Sequence, residues 1–208
     1  MAILRPASRL RIGGGHHVRR RSVRLAAVTA ALVVLANAWL SGASGQTPQI
    51  DVREQHGVYQ VAARFVVPRP APVAVTVLTD YDRIATFMPN LTKSQVLSES
   101  GDTVVVEQEA VAKLMMFSRR IHLLLEVRQE DGQIRFRDRS GRSFRAYEGQ
   151  WRVTPHGETA VIDYELAADP AFAVPGFVLK RMLERDAKQM IEHLQAEIAS
   201  RAILPEAR

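Results

Sequence analysis

The sequence predicts an α+β domain: seven antiparallel strands followed by one long C-terminal helix, with two short helices between the first and second strands. Three observations predict it. Apolar and polar residues alternate through Val58 to Val67, and six more apolar runs follow before Ala168. Turn dipeptides Gly101-Asp102, Asp131-Gly132, Ser140-Gly141 and His156-Gly157 separate successive runs, which is hairpin chemistry. Beyond Pro170 the apolar period changes from two to that of a helix.

The chain opens on a targeting segment, residues 1–45. Its seven arginines precede or abut the apolar run Leu25 to Leu40, and no acid occurs among them. A run of 16 residues followed by Ala43, Ser44 and Gly45 fits a cleaved secretory signal, whereas a spanning helix prefers ~20 apolar residues. An uncleaved anchor with cytoplasmic arginines is the alternative that the basic flank also allows. Both readings export the domain, and we expect the periplasm of a bacterial cell envelope. The pair Arg20-Arg21 leaves a twin-arginine route open beside the general one. Residues 46–57 are read as an N-terminal extension, 58–200 as the folded domain and 201–208 as a tail.

Without the leader, the 28 Lys and Arg fall by seven to 21, against 22 Asp and Glu, a formal charge of −1. A near-neutral chain has no general basic face with which to displace counterions from phosphates, so no nucleic-acid partner is expected. The absence of cysteine excludes disulfides, thiolate metal sites and a cysteine nucleophile. The histidines outside the leader, His56, His122, His156 and His193, are isolated, and neither HExxH nor a glycine-rich phosphate loop occurs after a strand. We therefore expect no metal and no cofactor.

In the first strand, Tyr59, Val61, Ala63, Phe65 and Val67 share one face. Pro68, Pro70 and Pro72 end it, and Ala71 to Leu78 form a short helix entered through proline. Asp80 is placed to cap a second short helix over 81–87, with Asp82 in its first turn, until Pro89 stops it. Paired carboxylates can also divide acid and base roles around a substrate, but Asp80 and Asp82 lie on no apolar face and have no His or Lys nearby. The remaining strands are predicted over 94–98, 103–113, 119–129, 133–138, 145–154 and 159–168. The helix begins beyond Pro175, with Leu179, Met182, Leu183, Ala187, Met190, Leu194 and Ile198 on one face.

Alternation assigns Ile121, Leu123, Leu125 and Val127, Ile134 and Phe136, Tyr147, Gly149, Trp151 and Val153, and Ile162, Tyr164 and Leu166 to the inner face. Arg135, Arg137 and Arg139 then form an outer, solvated ladder. Four polar residues fall in the inward register: Gln108, Asp138, Arg145 and Tyr164. Each needs a partner, because a buried polar group without one costs ~1–3 kcal/mol. Asp138 and Arg145 flank the Ser140-Gly141 turn and either pair with each other or leave Arg145 and Tyr164 free to donate to a ligand. A register slip of one residue at that turn would invert the assignment.

The order of elements, together with LTDYDRIATFMPNL (78–91), YEGQWRV (147–153) and DPAFAVPGFVLKRML (169–183), resembles the START-like superfamily, in particular its polyketide cyclase/dehydrase and coenzyme Q-binding families. The resemblance implies a helix-grip fold, in which a curved sheet wraps the C-terminal helix and the two short helices wall one end of an apolar cavity. Phe87 and Met88 would then overhang that cavity or plug the core. The candidate ligand-binding residues are Phe87, Met88, Gln108, Phe136, Arg145, Trp151, Tyr164, Phe177 and Met182. Leu114, Met115, Met116 and Phe117, bracketed by Lys113 and by Arg119-Arg120, form an apolar hairpin tip that either dips transiently into an anionic membrane or folds back on the domain. The function expected is binding or transfer of a hydrophobic small molecule, a lipid, quinone or aromatic metabolite. The alternative is a cyclase or dehydratase in which Arg145 or Tyr164 polarises a carbonyl and Asp138 moves a proton. A third reading, partner binding without a ligand, requires Trp151, Phe136, Phe177 and the methionines to fill the interior.

Overall fold

The computed structural model describes residues 47–114 and 117–201. Alternation in the first predicted strand is realised as β2 (Val58–Val67): Tyr59, Val61, Ala63, Phe65 and Val67 are all buried, and most of the residues between them are exposed. The later strands are β3 (Leu91–Ser100), β4 (Thr103–Leu114), β5 (Phe117–Glu130), β6 (Gln133–Asp138), β7 (Phe144–His156) and β8 (Thr159–Pro170). The long helix, α2, runs Gly176–Ser200, and the first short helix, α1, runs Ala71–Leu78 with proline in its first turn.

The sheet has eight strands, one more than predicted, because the stretch read as an extension contains β1 (Gln49–Gln55). Within it only Ile50 and Val52 alternate among polar and charged residues, too weak a signal to mark a strand. The hairpin to β2 turns through His56 and Gly57, both at positive φ (53° and 84°), the conformation of the tight turns whose twist matches paired strands. Histidine is an unusual first residue for it, and this hid the turn. Strand order is β1-β2-β8-β7-β6-β5-β4-β3, antiparallel throughout. Helix α2 touches β1 and β2 near one edge and β4 near the other, so the sheet curves around it.

The elbow after α1 differs from the expected second helix. Residues 81–83 form a turn and only Ile84–Thr86 wind, as a single 3₁₀ turn without a side-chain cap. Asp80 and Asp82 are structural, as their positions implied, but their bonds are tertiary. The Asp80 carboxylate accepts from Arg201 Nη2 at 2.9 Å, and Asp82 accepts from the Val96 N–H at 2.8 Å, where the β3 register shifts. Arg201 also bonds Glu197, while Arg69 donates to the carbonyls of Ala199 and Arg201. These contacts satisfy carbonyls left open at the end of α2 and fasten it to the connector before α1.

Candidate functional site

Beneath the first half of α2 the concave face of the sheet does not meet the helix. A cavity of about 300 Å³ lies between them, closed at one side by Tyr81, Ile84 and Met88 of the elbow. Its roof is Leu179, Met182, Leu183, Ala187 and Met190, one helical stripe. Its floor is the inward rows of β2 and β4 to β8, including Leu123, Leu125 and Val127 on one side and Tyr164 and Leu166 on the other. The volume sits at the lower end of the range for small-molecule sites, and the wall is mostly apolar with a few polar groups, as in such sites generally.

Six rings run along the floor in one chain. Centroids are 6.3 Å apart for Phe172 and Phe144, 4.8 Å for Phe144 and Tyr147, 6.0 Å for Tyr147 and Phe136, 6.5 Å for Phe136 and Tyr164, and 4.2 Å for Tyr164 and Trp151. Gly149 makes room for the middle of this chain. It pairs with Phe136 across β6 and β7, and a Cβ on it would meet the Phe136 ring at 2.7 Å and the Glu165 carbonyl oxygen at 2.3 Å. The gap in the Tyr147-Gly149-Trp151 row is thus filled by a ring from the neighbouring strand. At the outer end the exposed Arg119 guanidinium stacks over Phe172, 4.3 Å from the ring centroid.

The polar groups of the wall are few and neutral, with one exception. Burial pushes the Tyr147 hydroxyl up to about 12 and that of Tyr164 well above its ordinary value. Burial likewise raises Tyr81 to about 12, opposed by the hydrogen bond from Gln129 Nε2 at 3.0 Å. All three therefore stand as neutral donors at ordinary pH. Gln108 Nε2 donates to Ser94 Oγ at 3.2 Å. The exception is Asp186, the one carboxylate on the cavity wall among the described residues; it accepts from Arg185 Nη2 at 2.8 Å.

Of the residues singled out in the sequence, Met88, Gln108, Phe136, Trp151, Tyr164 and Met182 line the cavity. Three do not. Phe87 packs against the core beside the elbow. Phe177 projects outward from the first turn of α2 and is 75% exposed. Arg145 faces solvent in a bidentate ion pair with Asp169, because β7 carries an extra residue between Phe144 and Ala146. That bulge is the register slip to which the alternation argument was vulnerable: it turns Phe144 and Tyr147 inward and Arg145 out. The expected Asp138–Arg145 pair is therefore absent. Asp138 instead anchors its own turn, accepting from the backbone of Leu124, Ser140 and Gly141. The side chains of Leu114, Met115, Met116 and Phe117 lie outside the described residues, as do residues 1–46 and 202–208. Sequence reasoning missed Tyr81, Phe144, Phe172 and Asp186 as wall residues. Asp186 had a signal, its position four residues from both Met182 and Met190 on the apolar face.

Comparison with known proteins gives this geometry a context. Solved structures with the same fold include the Zhui aromatase/cyclase from Streptomyces sp. R1128 (TM-score 0.60, 16% identity, covering 71% of this chain and 97% of that one). A STAR-related lipid transfer protein from Xanthomonas axonopodis matches with TM-score 0.58 and 16% identity over 76% of this chain and 96% of that one. A START superfamily protein from Mycobacterium smegmatis does so with TM-score 0.58 and 15% identity over 67% and 96%. At these identities the likeness establishes the fold, which is START-like, and no more. No curated protein matches the chain. The family model described as polyketide cyclase / dehydrase and lipid transport matches residues 67–195, most of the strands, the elbow and nearly all of α2. The chain belongs to that family.

Proposed function

We propose that this protein is an exported carrier that holds a hydrophobic small molecule between the sheet and α2. The observation that carries the reading is the cavity of about 300 Å³ under the first half of the helix, walled by apolar side chains and a few neutral donors. The family's lipid-transport members support it. Of the three groups that the alternative chemistry needs, Arg145 and Asp138 are held in structural bonds outside the cavity, and Tyr164 alone lines its wall. Export is supported by the basic, acid-free residues 1–45 with their apolar run of 16.

Collection of the ligand at a membrane is part of the proposal. The sequence Leu-Met-Met-Phe at 114–117 is flanked by Lys113, Arg119 and Arg120, all exposed, and Phe177 adds an exposed ring at the start of α2. Arg185 of α2 donates to the Lys113 carbonyl at 3.4 Å, which brings the helix over the cavity to the end of β4. Apolar side chains within a basic border suit an anionic bilayer.

Native mass spectrometry on protein taken from its own envelope, followed by organic extraction, tests the carrier reading. A stoichiometric apolar adduct is expected; protein that is consistently empty overturns it. For the membrane step, Met115→Asp with Met116→Asp should abolish sedimentation with phosphatidylglycerol-containing vesicles, and unchanged sedimentation removes that step.

A further inference from the structure

The walls of the cavity differ in how they are held. The floor strands are tied to their neighbours by ladder bonds, and the roof belongs to a 25-residue helix whose far end is packed. The elbow has neither support. From Tyr81 to Met88 its backbone N–H groups donate only to carbonyls between Thr79 and Ile84, so among the described residues no main-chain bond joins this stretch to the sheet or to α2. Three side-chain bonds hold it instead. Asp82 accepts from the Val96 N–H at 2.8 Å, the Tyr81 hydroxyl from Gln129 Nε2 at 3.0 Å, and Asp80, the residue before the first wall residue, from Arg201 Nη2 at 2.9 Å. The first two reach the sheet, and only the third reaches α2.

Arg201 is oriented for that hold before it meets Asp80. It caps the C-terminal end of α2, its Nε donates to Glu197 one turn back at 2.7 Å, and its own carbonyl accepts from Arg69. A planar guanidinium with one arm already fixed loses little freedom in closing on a second carboxylate. The side chains of Arg201, Asp80 and Glu197 are only 21–23% exposed, so solvent screens this charge-assisted bond less than those at the surface. Arg83, the other cation beside Asp80, stands 3.7 Å away and is mostly exposed.

We propose, on the carrier reading, that Arg201 is a positioning residue for ligand exchange: its grip on Asp80 holds Tyr81, Ile84 and Met88 shut against the cavity, and loss of that grip lets the elbow swing out as the door through which the ligand passes. A segment without main-chain ties to its surroundings opens at the lowest cost in a native protein, and here one side-chain pair sets that cost.

Hydrogen exchange and probe release on the full chain test both parts, the hold and the door. In Arg201→Gln the amides of Ile84 and Met88, which are bonded within the elbow, should exchange about tenfold or more faster, with those of β2 and β8 unchanged. Dissociation of N-phenyl-1-naphthylamine, a neutral apolar fluorophore, followed by stopped-flow dilution, should quicken by a similar factor. Asp80→Asn removes the same contact from the elbow side and leaves the end of α2 bonded to Glu197 and Arg69. It should reproduce both effects, and it serves alone if Arg201→Gln does not fold. The double variant should release the probe no faster than either single variant, since both break one contact; additive effects overturn the pairing. Unchanged exchange in the elbow overturns the hold, and faster exchange there with unchanged release overturns the door. Faster exchange throughout the sheet overturns both, because Arg201 then fastens the whole fold. A parent chain that takes up no probe overturns the carrier reading and the door with it, while exchange in the elbow still decides the hold.

Discussion

One stripe of α2 meets two different surroundings. In its second half Ile191, Leu194 and Ile198 are fully buried, in one core cluster with Phe65, Val67 and Ile162 of the sheet and Ala74 and Val77 of α1. In its first half Met182 and Leu183, and Met190 just past the midpoint, are only partly covered and line the cavity. The helix presents the same apolar spacing throughout, so the difference comes from what lies opposite. Helix α1 wedges between sheet and α2 at one end and fills it. At the other end no helix among the described residues enters, and the Phe136 ring lies down over Gly149. A packed end thus holds the fold while a hollow end is left for function, since a filled volume of native density admits nothing.

The largest test of that contrast is a pair of truncations. Leu194→Ala should lower unfolding free energy by about 2–5 kcal/mol, as for other fully buried leucines, whereas Leu183→Ala should cost about 1 kcal/mol, because its space is already open. Urea denaturation of both variants measures it, and equal losses would erase the distinction between the two ends. Next is Gly149→Val, which has no room for its side chain against Phe136 and the Glu165 carbonyl. We expect a loss of about 1–3 kcal/mol together with weakened ligand uptake.

A third test uses pH. Burial raises Tyr81 and Tyr147 from 10.0 to about 12 in the folded chain, so between those values the native state holds protons that the unfolded state has released. Stability is fully present below pH 10 and must fall as pH rises from 10 to about 12, by up to roughly 2–3 kcal/mol for each group. Tyr147→Phe should flatten that slope in a denaturation series, and a slope identical to the parent's would mean that the hollow end is wet enough to leave the hydroxyl unshifted. The smallest effect is expected at Arg145. Its exposed pair with Asp169 is screened by solvent, so Arg145→Ala should leave both the denaturation midpoint and ligand uptake within experimental error.

Most of the frame was legible in the alternation of Val58 to Val67, in the turn dipeptides and in the change of period after Pro170. These are local properties, and the strands from β2 onward and both α-helices follow them. Legibility failed where a local rule was broken. The bulge beside Phe144 reverses Arg145, β1 owes its existence to pairing with β2, and the elbow acids find partners on β3 and at Arg201. Trp151, Tyr164, Phe136, Gln108 and Met182 could be assigned to the inner side from spacing, but spacing does not say whether an inner residue touches a neighbour or a void.

The amino-acid order by itself determined which side chains are turned toward the interior, because strand and helix periods are fixed by backbone geometry. The tertiary structure alone decided that the interior is filled under one half of α2 and empty under the other. That outcome depends on the summed volumes of side chains from elements far apart in the chain, α1 on one hand and Gly149 with its neighbouring rings on the other, and no local pattern encodes such a sum.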